Sequence, residues 1–502
     1  MKVGRDMKWA QTFQFVAICL ACGVLVSSCD ERTEGTQQVS VSQESLPGFD
    51  LTVLEGATLI DGTGAPAIVN SSILLRGDKI IGVGLVGEFL GADSATVIDL
   101  SGKTIVPGFF DMHAHVRESM LRPMLAFGIT TIRNPGSGRS AGIEIRDRLS
   151  SGDILGPRMF TAGKIINDSS AFSLTPPSQS KRDIGTGSNF AEVRSADEAR
   201  SAVRNQATAG FDFVKVYMGI TPALLAAVIE EADTQEVRVI GHLKATSWTQ
   251  AADSGIDVLT HSCSEGPNWE LLEPGVRSTF GWGGWGASLR SWAATAATYD
   301  LDGPRWRGLV NSLLNNKVEV NPTLVTMEAH YWADQSGELS SEQPTFAPQG
   351  YAEAWAGNWD SVRNFMNQWE LSAEERLQLK TNYRTCLEMV EKMHSAGVLL
   401  TTGTDLGGWM TPGVSLHREL QLLSDAGISN IDIIQIATKN GAQALGILDE
   451  VGTLEPGKRA DIVVLQDDPL VDIQNTQSIV TVFLGGVPYD PSAILRESQH
   501  QR

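Results

Sequence analysis

The sequence predicts an α/β protein: a (β/α)8 barrel of the TIM type with a small β-sandwich domain formed from both ends of the mature chain. Three observations carry this. The middle of the chain alternates short apolar segments with amphipathic helical patterns, as βα units do. Both ends carry strand-like runs of Val, Ile and Leu punctuated by Gly and Asp-Gly, which read as turns. At 502 residues with 42% apolar and 20% charged residues, the chain is long enough for a large barrel and a companion, with no sign of disorder as a whole.

The N-terminus reads as an address. Lys2, Arg5 and Lys8 precede the apolar run "FQFVAICLACGVLV", which is too short and too close to the start for a stable span. The run ends in "VSSC", residues 26–29, which resembles a bacterial lipobox. On this reading residues 1–28 are a signal peptide and Cys29 becomes lipidated. The protein would be an exported lipoprotein facing the periplasm or the cell surface, touching the membrane only through its lipid. A simple cleaved signal or an uncleaved anchor is the alternative. Residues 29–49, including "DERTEGTQQVSVSQES", form a polar tether unable to bury enough surface to fold.

Residues 50–108 form the first part of the small β domain, with "LTVLEGATLIDGTG", "SSILLRGDKIIGVG" and "ATVIDLSGKTIVPG" as strand–turn units. The barrel is placed at 109–446. Its strands are read at 107–113, 128–134, 157–163, 211–217, 237–243, 257–261, 317–323 and 397–405. Helical patterns such as "TPALLAAVIEEAD" and "AEERLQLKTNYRTCLEMVEKMHSAG" lie between them. Between about 262 and 370 the connections lengthen and fill with Trp, at 269, 282, 285, 292, 306, 332, 355, 359 and 369. These rings either pack loops onto the barrel or wall an apolar active site. Residues 447–490 return to the β domain, and 491–502 form a tail.

Composition excludes some functions. A net charge of −20, with Lys and Arg scattered singly, opposes nucleic-acid binding, which demands a positive footprint. Once Cys19 and Cys22 leave with the signal peptide, only Cys263 and Cys386 remain besides Cys29. They are expected as two buried thiols rather than a disulfide. Oligomeric state is left open.

Chemistry-bearing residues gather at the C-terminal ends of the predicted strands, where barrel active sites sit. The first strand ends at His113 and His115, two apart and therefore on one face. Lys215 lies on the fourth strand, His242 ends the fifth, His261 the sixth and Asp405 the eighth. A lone strand-end His is most often a hydrogen-bonded core residue, and Asp405 alone could cap a helix. Four histidines in register with a carboxylate point instead to a metal. Asp111 is given no ligand role; it is read as positioning the strand end. Lys215 shares a face with Phe211, Phe213 and Tyr217. An ammonium there would be poorly solvated beside cations. Carboxylation by CO2 would make it an anion able to bridge two of them, the alternative being a lysine that snorkels to the barrel mouth.

The segments "PGFFDMHAH", "GITTIRNPG", "FVKVY", "GTD" and "GTLEPGKRADIVVL", together with the two later histidines, resemble in order and spacing the amidohydrolase superfamily of metal-dependent hydrolases. The branch is the imidazolonepropionase-like one that includes Xaa-Pro dipeptidases. The resemblance implies two divalent ions, expected to be zinc. His113 and His115 would hold one with Asp405, His242 and His261 the other, and carboxylated Lys215 would join them. It implies a hydroxide bridging the metals as nucleophile and Asp405 as general base, then acid. It also implies a substrate contact at Tyr217, the alternative being an aromatic lining residue; His417 in "SLHRELQLL" could reach a substrate carboxylate, the alternative being a histidine that merely orients loops. The chain departs from many dipeptidases of the branch: "AGKIINDSSAFSL" lacks their histidine, and Asn134 stands where Asp is common.

The expected function is hydrolysis of a C–N bond, amide or peptide, in a dipeptide, N-acyl amino acid or cyclic amide. The alternatives are a mononuclear deaminase of the same superfamily and a non-catalytic ligand-binding lipoprotein.

Overall fold

The computed structural model describes residues 51–89, 95–136, 141–168, 170, 189–263, 268–272, 285–334, 347, 351, 356–407 and 410–499. The leader, Cys29 and the tether lie outside these. Among the described residues no helix is long and apolar enough to cross a membrane.

All eight expected barrel strands are present: Phe109–Asp111, Ile129–Asn134, Arg158–Thr161, Phe213–Val216, Arg238–Gly241, Val258–Thr260, Glu319–Asn321 and Leu399–Leu400. Every pairing between them is parallel. The ladder is continuous within the first three strands and within the last five. Parallel bridges Ala162–Phe213 and Ala114–Leu406 join the two groups at both seams, so the barrel closes. Two short strands, Ile165–Asn167 and Phe190–Glu192, were not anticipated. The first runs on from the third barrel strand and pairs with the fourth through Val216–Ile166.

Local sequence explains where the outer helices begin. Ser195 accepts the Glu198 N–H at the start of Ala196–Thr208. Thr221 and Pro222 open Pro222–Thr234. Ser247 with Gln250, and Ser372 with Glu375, form reciprocal capping boxes at the starts of Trp248–Ser254 and Ala373–Ser395. Inside the barrel, Phe110, Met112, Ala162, Phe213, Ile240 and Val258 pack with Ala442, Leu445, Ile447 and Val451. Phe213, Ile240 and Val258 precede Lys215, His242 and His261 on their strands, so this apolar plug seals the end opposite the polar residues.

The small domain is one eight-stranded sheet. Leu51–Leu59, Ile68–Arg76, Lys79–Leu85, Thr96–Asp99 and Thr104–Pro107 come from before the barrel, and Ile462–Leu465, Ile479–Leu484 and Val487–Tyr489 from after it. The two sets join where Thr104–Pro107 pairs antiparallel with Ile462–Leu465. The sheet curls until its far strand meets the chain entering Ile462–Leu465: Ile80 N–H donates to Lys458 O at 2.9 Å, and Gly457 N–H to Ile80 O at 2.8 Å. It encloses its own core of Leu54, Leu59, Ile73, Ile105, Ile462 and Phe483.

Two findings concern the Trp-rich region. Trp292, Trp306 and Trp369 are buried, so these three pack the insertion, helices included, onto the body; Trp332 is half-buried. The side chains of Trp269, Trp282, Trp285, Trp355 and Trp359 lie outside the described residues. The expectation of two free thiols is corrected: Cys263 and Cys386 form a disulfide, with Cα atoms 5.4 Å apart. It ties the loop after the sixth strand to the helix Ala373–Ser395. A separation of 123 residues gave no sequence signal that the two would meet.

Candidate metal centre

The first and eighth strands are stitched together where the ligand candidates sit. The Met112 N–H donates to Thr402 O at 2.8 Å, Asp405 N–H to His113 O at 2.7 Å, and His115 N–H to Leu406 O at 2.5 Å. Asp111 completes the seam: its carboxyl accepts from Thr404 Oγ1 at 2.7 Å, Thr404 N–H at 3.1 Å and His113 N–H at 3.2 Å. Its positioning role follows from these bonds. Gly403 is needed here because a Cβ would stand 2.3 Å from Asn321 Oδ1 and 2.8 Å from His113 Cβ.

The six expected ligands converge at one rim. Asp405 Oδ1 lies 3.4 Å from His113 Nε2 and 3.4 Å from His115 Nε2. Two donors sharing one ion at about 2.0–2.1 Å in tetrahedral array stand about 3.4 Å apart. His113, His261 and Asp405 bring donor atoms within 4.8 Å of one another. The His261 ring is 4.7 Å from His113 and 4.3 Å from His242, centroid to centroid. Lys215 Nζ donates to Thr260 Oγ1 at 3.3 Å, from the strand end that carries His261. Tyr217, half-buried, meets the His242 ring edge-on at 4.8 Å. His115 and Asp405 keep 31% and 18% of their side-chain surface open to solvent, so a small molecule can reach them.

Backbone strain gathers here. His261, Thr323 and Asp405 take positive φ of 67°, 51° and 52°, each costing roughly 1–3 kcal/mol in a non-glycine residue. Such residues persist where surrounding bonds over-determine them, and these are held from neighbouring strands.

Burial sets the protonation of this rim. Burial holds the His113 and His261 imidazoles well below their ordinary range, hence neutral. Burial also brings the Lys215 amine down to about 7, with Asp405 opposing and Arg133 adding to the shift. Burial alone would raise the Asp405 carboxyl, yet the hydrogen bond from His115 and the facing imidazoles hold it well below the usual carboxylate range. His113 is 1% exposed and its Nδ1 has no hydrogen-bond partner among the described residues. Nitrogen and oxygen donors at these separations, with one anionic carboxylate, fit a divalent ion.

A second polar layer lies within the barrel. Arg133 and Glu319, both fully buried, form a two-point ion pair at 2.7 and 2.8 Å. Arg133 also donates to Met112 O at 2.8 Å, and Glu319 accepts from Thr401 Oγ1 at 2.6 Å. Arg133 and Glu319 were not singled out in the sequence, although alternation along "ITTIRN" and "KVEVN" puts a charge inside each strand.

One expectation is corrected. His417 is buried with both ring nitrogens committed, Nδ1 to Thr476 Oγ1 at 2.9 Å and Nε2 to Phe127 O at 3.1 Å. Its ring packs edge-on against Phe109, at the start of the first barrel strand. It ties the post-barrel segment to the body and leaves no polar edge for a substrate.

Known proteins resemble this chain in part of its sequence and in its fold. Residues 373–488 match the amidohydrolase family. A D-aminoacylase of Alcaligenes xylosoxydans xylosoxydans is 35% identical over 105 residues, 20% of this chain and 21% of the relative. An adenine deaminase of Rhizobium etli is 40% identical over 86 residues, 16% of this chain and 14% of the relative. The matched segments thus span about a fifth or less of these relatives' length. The fold matches a Xaa-Pro dipeptidase crystallised with methionine in its active site, with a TM-score of 0.63 and 21% identity over 88% of this chain and 100% of that one.

Proposed function

We propose, from the premise that this chain carries an amidohydrolase-family region on the fold of a Xaa-Pro dipeptidase, that it is a metal-dependent hydrolase of C–N bonds. The substrate class is a dipeptide, an N-acyl amino acid or a cyclic amide. The observation that carries this is the convergence of His113, His115, His261 and Asp405 on one solvent-reachable rim. His113, His115 and Asp405 would hold one ion, His242 and His261 a second, and carboxylated Lys215 would join both. The depressed Lys215 amine supports that modification, because carboxylation requires the neutral nucleophile. Bound there, divalent ions, with zinc the best fit to imidazole donors, supply an acidified water and a polarised carbonyl.

The chain's own residues do the rest. Asp405 is ionised, partly exposed and held by its backbone bond to His113 O. It takes a proton from the attacking water and delivers it to the leaving nitrogen. Tyr217 stands beside His242 at the mouth, placed to contact the substrate. The amine-terminal leader and Cys29 would place this chemistry outside the cytoplasm, tethered by lipid.

The compact trio of His113, His261 and Asp405 also suits a single ion, and the adenine deaminase match favours keeping a mononuclear deaminase as the second reading. Metal analysis separates them: two equivalents with bicarbonate dependence support the bridged centre, one equivalent the deaminase. In a screen of dipeptides and N-acyl amino acids, metal-loaded protein should turn over at least one amide. Asp405→Asn should then lose about 10²–10⁴-fold in turnover. Metal-loaded wild type inert on every amide offered would overturn the reading.

A further inference from the structure

His261 ends the sixth strand with its N–H donated to Asn321 O at 3.0 Å. Its Nδ1 stands 2.7 Å from Thr323 Oγ1. The Thr323 hydroxyl has one proton, and Pro322 O, 2.7 Å away, is a carbonyl that can only accept, so the hydrogen bond between them is donated by Thr323. Toward His261 the oxygen can therefore only accept. With that bond in place the imidazole carries its proton on Nδ1 and its lone pair on Nε2.

This arrangement has a structural cost that the fold meets from elsewhere. Thr323 is the residue that precedes the helix Leu324–Tyr331, and a threonine there ordinarily accepts from the helix's first free N–H groups. It makes no such bond, and its backbone is left-handed at φ 51°, ψ 49°. The first free N–H groups are taken by Glu419, fully buried on the helix Val414–Asp425. Its Oε1 accepts from Leu324 N–H at 3.0 Å and its Oε2 from Val325 N–H at 2.7 Å. Tyr383 Oη donates to Leu324 O at 2.9 Å, and Thr326 Oγ1 to Thr404 O at 2.8 Å, next to Asp405. The helix start is thus gripped from three neighbouring elements.

We infer that Thr323 is a positioning residue that sets the His261 tautomer, and that Glu419 caps the helix in its place so that the threonine hydroxyl can face the imidazole. The partner of a ligating imidazole's far nitrogen typically tunes metal affinity 10–100-fold. The inference deepens the metal-centre reading and rests on it for its consequence, but the tautomer itself can be read without metal.

The test uses the full chain labelled with 15N-histidine. In metal-free wild type, two-bond proton–nitrogen spectra should show His261 protonated at Nδ1. Thr323→Val keeps the shape and branching but removes the acceptor. It should lose that signature and weaken binding of the zinc held by His261 by about 10–100-fold. Thr323→Ser should retain both. Glu419→Met keeps bulk without acceptors and should broaden the same signal. Should Thr323→Val fail to fold, as judged by circular dichroism, the wild-type tautomer and the serine variant still decide. A wild-type His261 protonated at Nε2, or a folded Thr323→Val with unchanged tautomer and zinc affinity, overturns the inference. Wild type that binds no zinc at all overturns the metal-centre reading instead, and leaves the tautomer result standing.

Discussion

At the residue scale, the site depends on side chains whose protonation is set by burial. Glu419 shows the consequence for stability. Burial pushes its carboxyl up to about 8, against the pull of the Val325 and Leu324 N–H groups. The folded protein therefore holds this proton more tightly than the unfolded chain, whose carboxyl titrates near about 4.3. Stability from this group is complete below the unfolded value and is lost as pH rises through about 8. Glu419→Gln cannot titrate. The stability advantage of wild type over this variant, read from urea unfolding, should shrink steadily between about pH 5 and about pH 8. An advantage that stays level or grows would refute the assignment. The candidate ligands were legible as residues, because each stands at or near a strand end with an apolar run before it. Their helpers were not: Thr323, Gly136 and Glu419 act through bonds that only folding creates. Gly136 O, for instance, accepts from His115 Nδ1 at 2.8 Å across 21 residues. The choice for His417 between a substrate contact and a loop-orienting histidine was hidden for the same reason, since its position near the eighth strand says nothing of Thr476 and Phe127.

At the scale of elements, strands were easier to place than their internal polar contacts. Alternation along "FDFVKVY" put Lys215 inside the barrel, and it is 2% exposed. Pairing between distant strands is not encoded in any local pattern. The Arg133–Glu319 pair spans 186 residues and holds the second strand against the seventh. Removing one partner from a buried pair strands the other's charge and costs about 3–5 kcal/mol. Arg133→Met should therefore destabilise by about that amount in chemical unfolding, whereas Arg133→Met with Glu319→Leu should recover much of the loss. If the double variant is as unstable as the two single losses summed, the pair is not what orders this layer. Arg133 also lies 5.6 Å from the Phe213 ring centroid, so part of its contribution comes from packing.

At the scale of the whole molecule, the barrel closes through its seams and the insertion is fastened to one long helix. Asn382, on Ala373–Ser395, donates to Trp292 O at 3.0 Å and Ala293 O at 2.9 Å. Arg290 Nη2 donates to Trp369 O at 2.6 Å. Cys386 on the same helix reaches Cys263, two residues past His261. Cross-linking so long a loop typically contributes about 2–4 kcal/mol. Cys386→Ala should lose about that much in denaturant unfolding, and non-reducing peptide mapping of wild type should recover the two cysteine peptides joined. Free thiols in the folded, unreduced protein would contradict this.

From the sequence alone came the order of strands and helices, the two-ended small domain and the six side chains at strand ends. These follow from local periodicity, turn residues and capping pairs, which act within a few residues of chain. Tertiary structure decided what lies across the barrel: the disulfide, the Arg133–Glu319 layer, the fate of His417 and the Glu419 cap that frees Thr323 for His261. Such contacts join residues from tens to almost two hundred positions apart, and their energies exist only once burial has removed water from both partners.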